Sequence, residues 1–179
     1  MKLTRAKFFS FLAAIAAMVV LTGTAIAGDW IHTGSGIRVK TILVVDVNVY
    51  SINHYMKEKP AEKSKAAVIN ADVDKKFECK LLRDIEGEKL RTAMKDAYAK
   101  NNYTDTTKIN KVLTAFPNEL KEGQTFTIKY DAAAKTTTFT IAGQGSVTVD
   151  SIEFMKGTWS IWFGNIDQKK LGDQLISKL

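Results

Sequence analysis

Two segments late in the chain alternate without a break: "QTFTIKY" (124–130) and "KTTTFTIAG" (135–143), with "DAAA" between them. Successive side chains on a strand point to opposite faces. Phe126, Ile128 and Tyr130 therefore share a face with Phe139 and Ile141 of the partner strand. The other face carries threonine and lysine, which can meet water. Together they specify an antiparallel hairpin with one side for a core.

"IRVKTILVVDVNVY" (37–50) is rich in β-branched residues and predicts one or two strands, with Val45, Val47 and Val49 opposite Asp46 and Asn48. "NHYMKEKPAEKSK" reads as a charged loop, and "AAVIN" and "KKFECKLL" as two more strands. Leu90, Ala93, Met94, Ala97 and Tyr98 then recur at helical spacing. "NNYTD" breaks that helix, Asp105 or Thr106 caps the next, and Ile109, Val112, Leu113 and Phe116 form its apolar stripe up to Pro117. Both stripes read as core faces. After the hairpin, "SVTVDSIEF" predicts a further strand, and "DQKKLGDQLISKL" a terminal helix with Asp167 as N-cap. Runs of strands and helices segregated in this way indicate an α+β fold on a mostly antiparallel sheet.

The N-terminus has its own logic. Lys2, Arg5 and Lys7 precede an apolar run from Phe8 to Leu21, and Ala25 and Ala27 give the small-x-small pattern before Gly28. That is the pattern of a signal peptide over residues 1–27, cut after Ala27, leaving residues 28–179 as one periplasmic or secreted domain. Losing the three basic residues lowers the formal net charge from +7 to +4. The lysines are interspersed with acids, as on a solvated surface, so nucleic acid is not an expected partner. No further transmembrane segment is expected after the signal.

The chemistry is sparse. Cys79 is the only cysteine, which excludes an internal disulfide, and it reads as a small buried apolar residue. His32 and His54, with that one cysteine, make no convincing zinc or haem site, so neither metal nor cofactor is expected. "GSGIR" lacks the third glycine and the helix of a dinucleotide loop. Arg38 stands out because it enters the most apolar strand. Two readings stand: a strand-end arginine in solvent or paired with a surface acid, or a charge anchor at the mouth of an apolar pocket. "GTWSIWFGN" (157–165) sets Trp159 and Trp162 three apart, on one face if the segment is helical.

In order along the chain, "GSGIRVKTILVVDVNVYSI", "LLRDIEGEKLRTAM", the hairpin bounded by Gly123 and Gly143, and "WSIWFGN" resemble segments of the chalcone isomerase-like family. The resemblance implies an α+β fold with a large antiparallel sheet, helices over one face, and a ligand cleft between them. In the plant enzymes of that family an arginine holds an anionic oxygen and hydroxyl side chains handle the ketone of a chalcone. In fatty-acid-binding relatives the arginine anchors a carboxylate. Arg38 matches the family arginine. The family's strand threonine, five residues before Tyr50, falls at Val45, and the late hydroxyl falls at Ile161. The family's tyrosine and asparagine can be matched by spacing to Tyr103 and Asn110, but anchoring on "KINKVLTAF" puts Asn110 on the following helix, and the pair is not carried across.

A site that keeps the arginine and loses the hydroxyls lacks donors for charge developing on a ketone. The expectation is a non-catalytic protein that binds a small amphipathic or anionic ligand, such as a fatty acid, with Arg38, Val45 and Ile161 in the cleft. The alternatives are an isomerase acting on an enone-like substrate and a structural or partner-binding envelope protein.

Overall fold

A computed structural model describes residues 29–179. The signal peptide expected over 1–27 lies outside the described residues. Six antiparallel strands form the main sheet, in the order β1 (Ile31–Ile42), β2 (Val45–Met56), β3 (Lys75–Leu81), β6 (Thr125–Asp131), β7 (Thr136–Ile141) and β8 (Gly145–Asp150). A two-stranded ribbon, β4 (Ile85–Glu86) with β5 (Glu119–Leu120), sits beside it. Helices α1 (Lys65–Asn70), α2 (Gly87–Lys100), α3 (Thr106–Leu113), α4 (Ile152–Phe163) and α5 (Lys169–Leu175) complete the chain. None of the described helices is long and apolar enough to cross a membrane.

The expected hairpin is β6–β7, with Phe126, Ile128, Tyr130, Phe139 and Ile141 all buried. Phe77 extends that face across β3 and lies 4.5 Å and 5.1 Å, ring centre to ring centre, from Trp162 and Trp159 of α4. The core is thus a sandwich of the sheet's apolar face and α4, at distances that favour aromatic pairs.

Several local expectations are corrected. "AAVIN" is helix α1, because the Ser64 side chain accepts from the Ala67 N–H as an N-cap and the Lys75 ammonium bonds the carbonyls of Val68, Ile69 and Ala71 at the far end. "SIEF" leaves the strand and starts α4, since the Ser151 hydroxyl accepts from the Phe154 N–H. Asn53 to Met56 belong to β2, so the charged loop begins later. Asp105 caps α3 as expected, accepting from the Lys108 N–H. Asp167 does not cap α5, where Gln168 holds the N-cap position.

Two bulges interrupt the β1–β2 pairing. Thr33 is the extra residue between the pairs His32–Tyr55 and Gly34–His54, and Val49 is the extra residue between Arg38–Tyr50 and Val39–Asn48. A bulge reverses which residues face inward beyond it. It therefore lets Val49 join Tyr50 on the helix-facing side. On the edge of β1, glycines admit α5: a Cβ on Gly34 would overlap the Gln174 carbonyl oxygen, and one on Gly36 the Leu171 side chain.

One set of buried polar groups forms a continuous chain from α4 across β2 and β1 to α5. Trp159 Nε1–H can only donate, so His54 Nε2, 2.9 Å away, accepts. His54 is therefore neutral with its proton on Nδ1, from which it donates to Thr33 Oγ1 at 2.6 Å, and the Thr33 hydroxyl donates in turn to the Leu175 carbonyl at 2.8 Å. Burial, then the charges of Lys75 and His32, hold the His54 pKa well below its usual value.

An unfolded chain protonates His54 near pH 6.5, whereas the folded one resists. The stability this contributes is complete above pH 6.5 and is lost as pH falls below it. Denaturant unfolding from pH 7 to pH 5 should show that decline. His54→Gln should flatten it while lowering stability at pH 7 by about 1–3 kcal/mol.

Candidate functional site

Between the sheet and α2 lies a cavity of about 410 Å³. Its sheet wall is Val49, Tyr50, Phe126 and Ile128, and its α4 wall is Ile161 and Trp162. The helical stripe Leu90, Ala93, Met94 and Ala97 of α2 supplies the opposite wall. That stripe has a second role beyond the core face expected for it: two of its four positions are alanines, too short to fill the space between helix and sheet.

Arg38 and Ile161 both line this cavity. Val45 is not among the lining residues; it stands 61% exposed beside the β1–β2 turn. Tyr103 packs instead against Tyr98 and Phe154, and Asn110 is exposed on α3.

Arg38 combines the two readings open at the level of sequence. Its side chain is 16% exposed at the cavity mouth, and it is paired with Asp167, which is 47% exposed, at 2.7 Å. The guanidinium also donates to the Val39 carbonyl at 3.0 Å and to Gln168 Oε1 at 3.2 Å. Burial raises the Asp167 pKa, but the hydrogen bond and charge of Arg38 outweigh it, and the carboxyl lies below its usual value. The rim bears Arg38, Lys40, Lys89 and Lys100 against Asp96 and Asp167. The field at the mouth thus favours an anion.

Gln168 holds this corner together. Its Oε1 accepts from the Val39 N–H at 2.9 Å and its Nε2 donates to the Ile37 carbonyl at 2.8 Å. The side-chain amide pairs with the β1 edge as a neighbouring strand would, which both blunts the edge and fixes Arg38.

Among the described residues that line the cavity, Tyr50 carries the only hydroxyl. It accepts from Trp162 Nε1 at 3.0 Å, and burial raises its pKa, so the phenol keeps its proton and can still donate. Tyr50, Asp167 and Gln168 escaped the reading of the sequence. A tyrosine that follows a valine-rich strand carries no local signal of a site, and Asp-Gln before a helix looks like a cap.

A family model described as chalcone isomerase-like matches residues 28–176. A solved fatty-acid binding protein of Arabidopsis thaliana is similar over 84% of this chain and 89% of its own, at 14% sequence identity and a TM-score of 0.67. That likeness establishes the fold. No curated protein matches the chain.

Replacing Tyr50 with Phe would leave the buried Trp162 N–H without its acceptor. The expected loss is about 1–3 kcal/mol of unfolding free energy. Chemical denaturation checks it, with Tyr55→Phe, on the opposite face of β2, as a control expected near zero.

Proposed function

This chain belongs to the chalcone isomerase-like family, and we propose that it acts as an exported, non-catalytic binder of a small amphipathic anion, with a fatty acid as the ligand class. The observation that carries this reading is an apolar cavity of about 410 Å³ with Arg38 at its mouth. That volume falls within the roughly 300–1,000 Å³ of pockets that enclose small ligands, where a few polar groups fix orientation. The ligand carboxylate would sit at Arg38 and the alkyl chain between α2 and the sheet. The fatty-acid binding protein of like fold supports the choice of ligand.

Binding would replace one carboxylate at Arg38 by another, with Asp167 swinging into solvent. Arg38→Gln should weaken binding of a long-chain fatty acid about 10- to 100-fold, the worth of a charge-assisted hydrogen bond. Asp167→Asn should strengthen it about 2- to 5-fold by removing the competitor. Calorimetric titration of both variants decides the matter; equal affinity in Arg38→Gln and the unmodified protein would remove the anchor. Solvent extraction of protein recovered from the exported fraction, with Gly28 as its first residue, should release the ligand for mass spectrometry.

The Tyr50 hydroxyl favours a second reading, an isomerase acting on an enone-like substrate, since the phenol of a cavity-lining residue can polarise a ketone. Turnover of a chalcone above the solution rate, lost in Tyr50→Phe, would establish that activity. Turnover at the solution rate would leave binding as the function.

A further inference from the structure

The large hydrophobic side chains that are exposed among the described residues, Ile37, Leu43, Val44 and Val45, all lie on the β1–β2 hairpin. Leu43 and Val44 form its two-residue turn and are 95% and 92% exposed. Leu43 has φ +59°, and Val44 is not in the positive-φ region. A two-residue turn of that kind is usually built with glycine at its first position. Here the position holds a leucine, strained in backbone and fully in water. Neither folding nor solubility benefits from this choice, so the outlier points to function.

The surroundings identify the partner. Lys40, on the cavity rim, pairs with Val47 three residues back from the turn, about 10 Å away at roughly 3.3 Å per residue. The turn therefore projects beside a mouth that carries four cations against two carboxylates, a surplus that the exposed Asp46 on the hairpin reduces but does not cancel. A convex apolar tip flanked by positive charge complements an anionic lipid surface. A stable protein–protein interface needs about 20–30 residues a side, far more than this hairpin offers in apolar contact.

We propose that Leu43 and Val44 insert into the headgroup region of an anionic bilayer and bring the cavity mouth to the membrane surface. The docking is independent of what occupies the cavity, because neither residue lines it.

The experiment uses single-cysteine labelling, which is selective because Cys79 is buried. An environment-sensitive fluorophore is placed at Val44→Cys and, as control, at Ala133→Cys, in the β6–β7 turn at the opposite end of the sheet. On vesicles of phosphatidylcholine with phosphatidylglycerol, the Val44 probe should shift to the blue and brighten, and the Ala133 probe should not. Vesicles of phosphatidylcholine alone, or high salt, should weaken the effect. Both labelled proteins share the same N-terminal segment, so the difference between them reports the turn.

The double variant Leu43→Gly/Val44→Asn supplies the turn chemistry the backbone favours. It should unfold at the same temperature as the unmodified protein or higher, while vesicle co-sedimentation falls about tenfold or more. Its fatty-acid affinity in solution should be unchanged, so failure of docking and failure of ligand binding are read separately. Equal spectral change at both labelled sites, unchanged sedimentation of the double variant, or a Val44 shift that needs only higher protein concentration would overturn the proposal. The last result would mean self-association.

Discussion

The structure depends on two indole N–H groups. Trp159 and Trp162 project from one face of α4, and each finds a buried acceptor on β2: His54 for the first, Tyr50 for the second. An indole nitrogen can only donate, and burying it without a partner costs more than the bond returns. The two bonds therefore set both the height and the rotation of α4 over the sheet. Phe77 fills the space between the indoles, so aromatic packing and polar satisfaction select the same placement.

Once α4 is held there, the cavity follows from side-chain size. Trp162 and Ile161 reach toward α2, but α2 answers with Ala93 and Ala97 at two of its four facing positions. Protein interiors are otherwise close-packed, and a void of this size beside fully buried aromatic residues forfeits dispersion contacts on every wall. Such a loss is tolerable where an apolar ligand restores the contacts. The β-bulge at Val49 contributes as well, since it turns both Val49 and Tyr50 toward the same space.

The alternating hairpin, the α2 stripe and the Asp105 cap were legible in the sequence because each is a local pattern with one dominant periodicity or one short-range bond. "AAVIN" was not, because its helix is stabilised at its C-terminal end by Lys75, a residue that itself begins the next strand. The site was legible only in part. Arg38 stood out as a charge inside an apolar strand, and Ile161 as a missing hydroxyl. Counting back from Tyr50 reaches Val45, but the residue inserted at Val49 shifts such a count, and Val45 lies outside the cavity lining. Asp167 and Gln168 act at Arg38 across 129 and 130 positions of sequence, a separation that no local pattern records.

The Arg38–Asp167 pair also shapes what can bind. A buried guanidinium without a counter-ion would be costly, and Asp167 supplies one. A ligand carboxylate that takes its place gives up the half-exposed Asp167 pair for its own, so the exchange returns only part of what Arg38 contributes. Most of the net affinity must then come from the apolar part of the ligand, at roughly 25 cal/mol for each Å² removed from water. A small anion such as acetate gains little from the exchange. An anion with an extended hydrocarbon chain gains the contacts that Ala93 and Ala97 leave unmade. The internal carboxylate thus makes the site selective for amphipathic anions without any residue that recognises the chain itself.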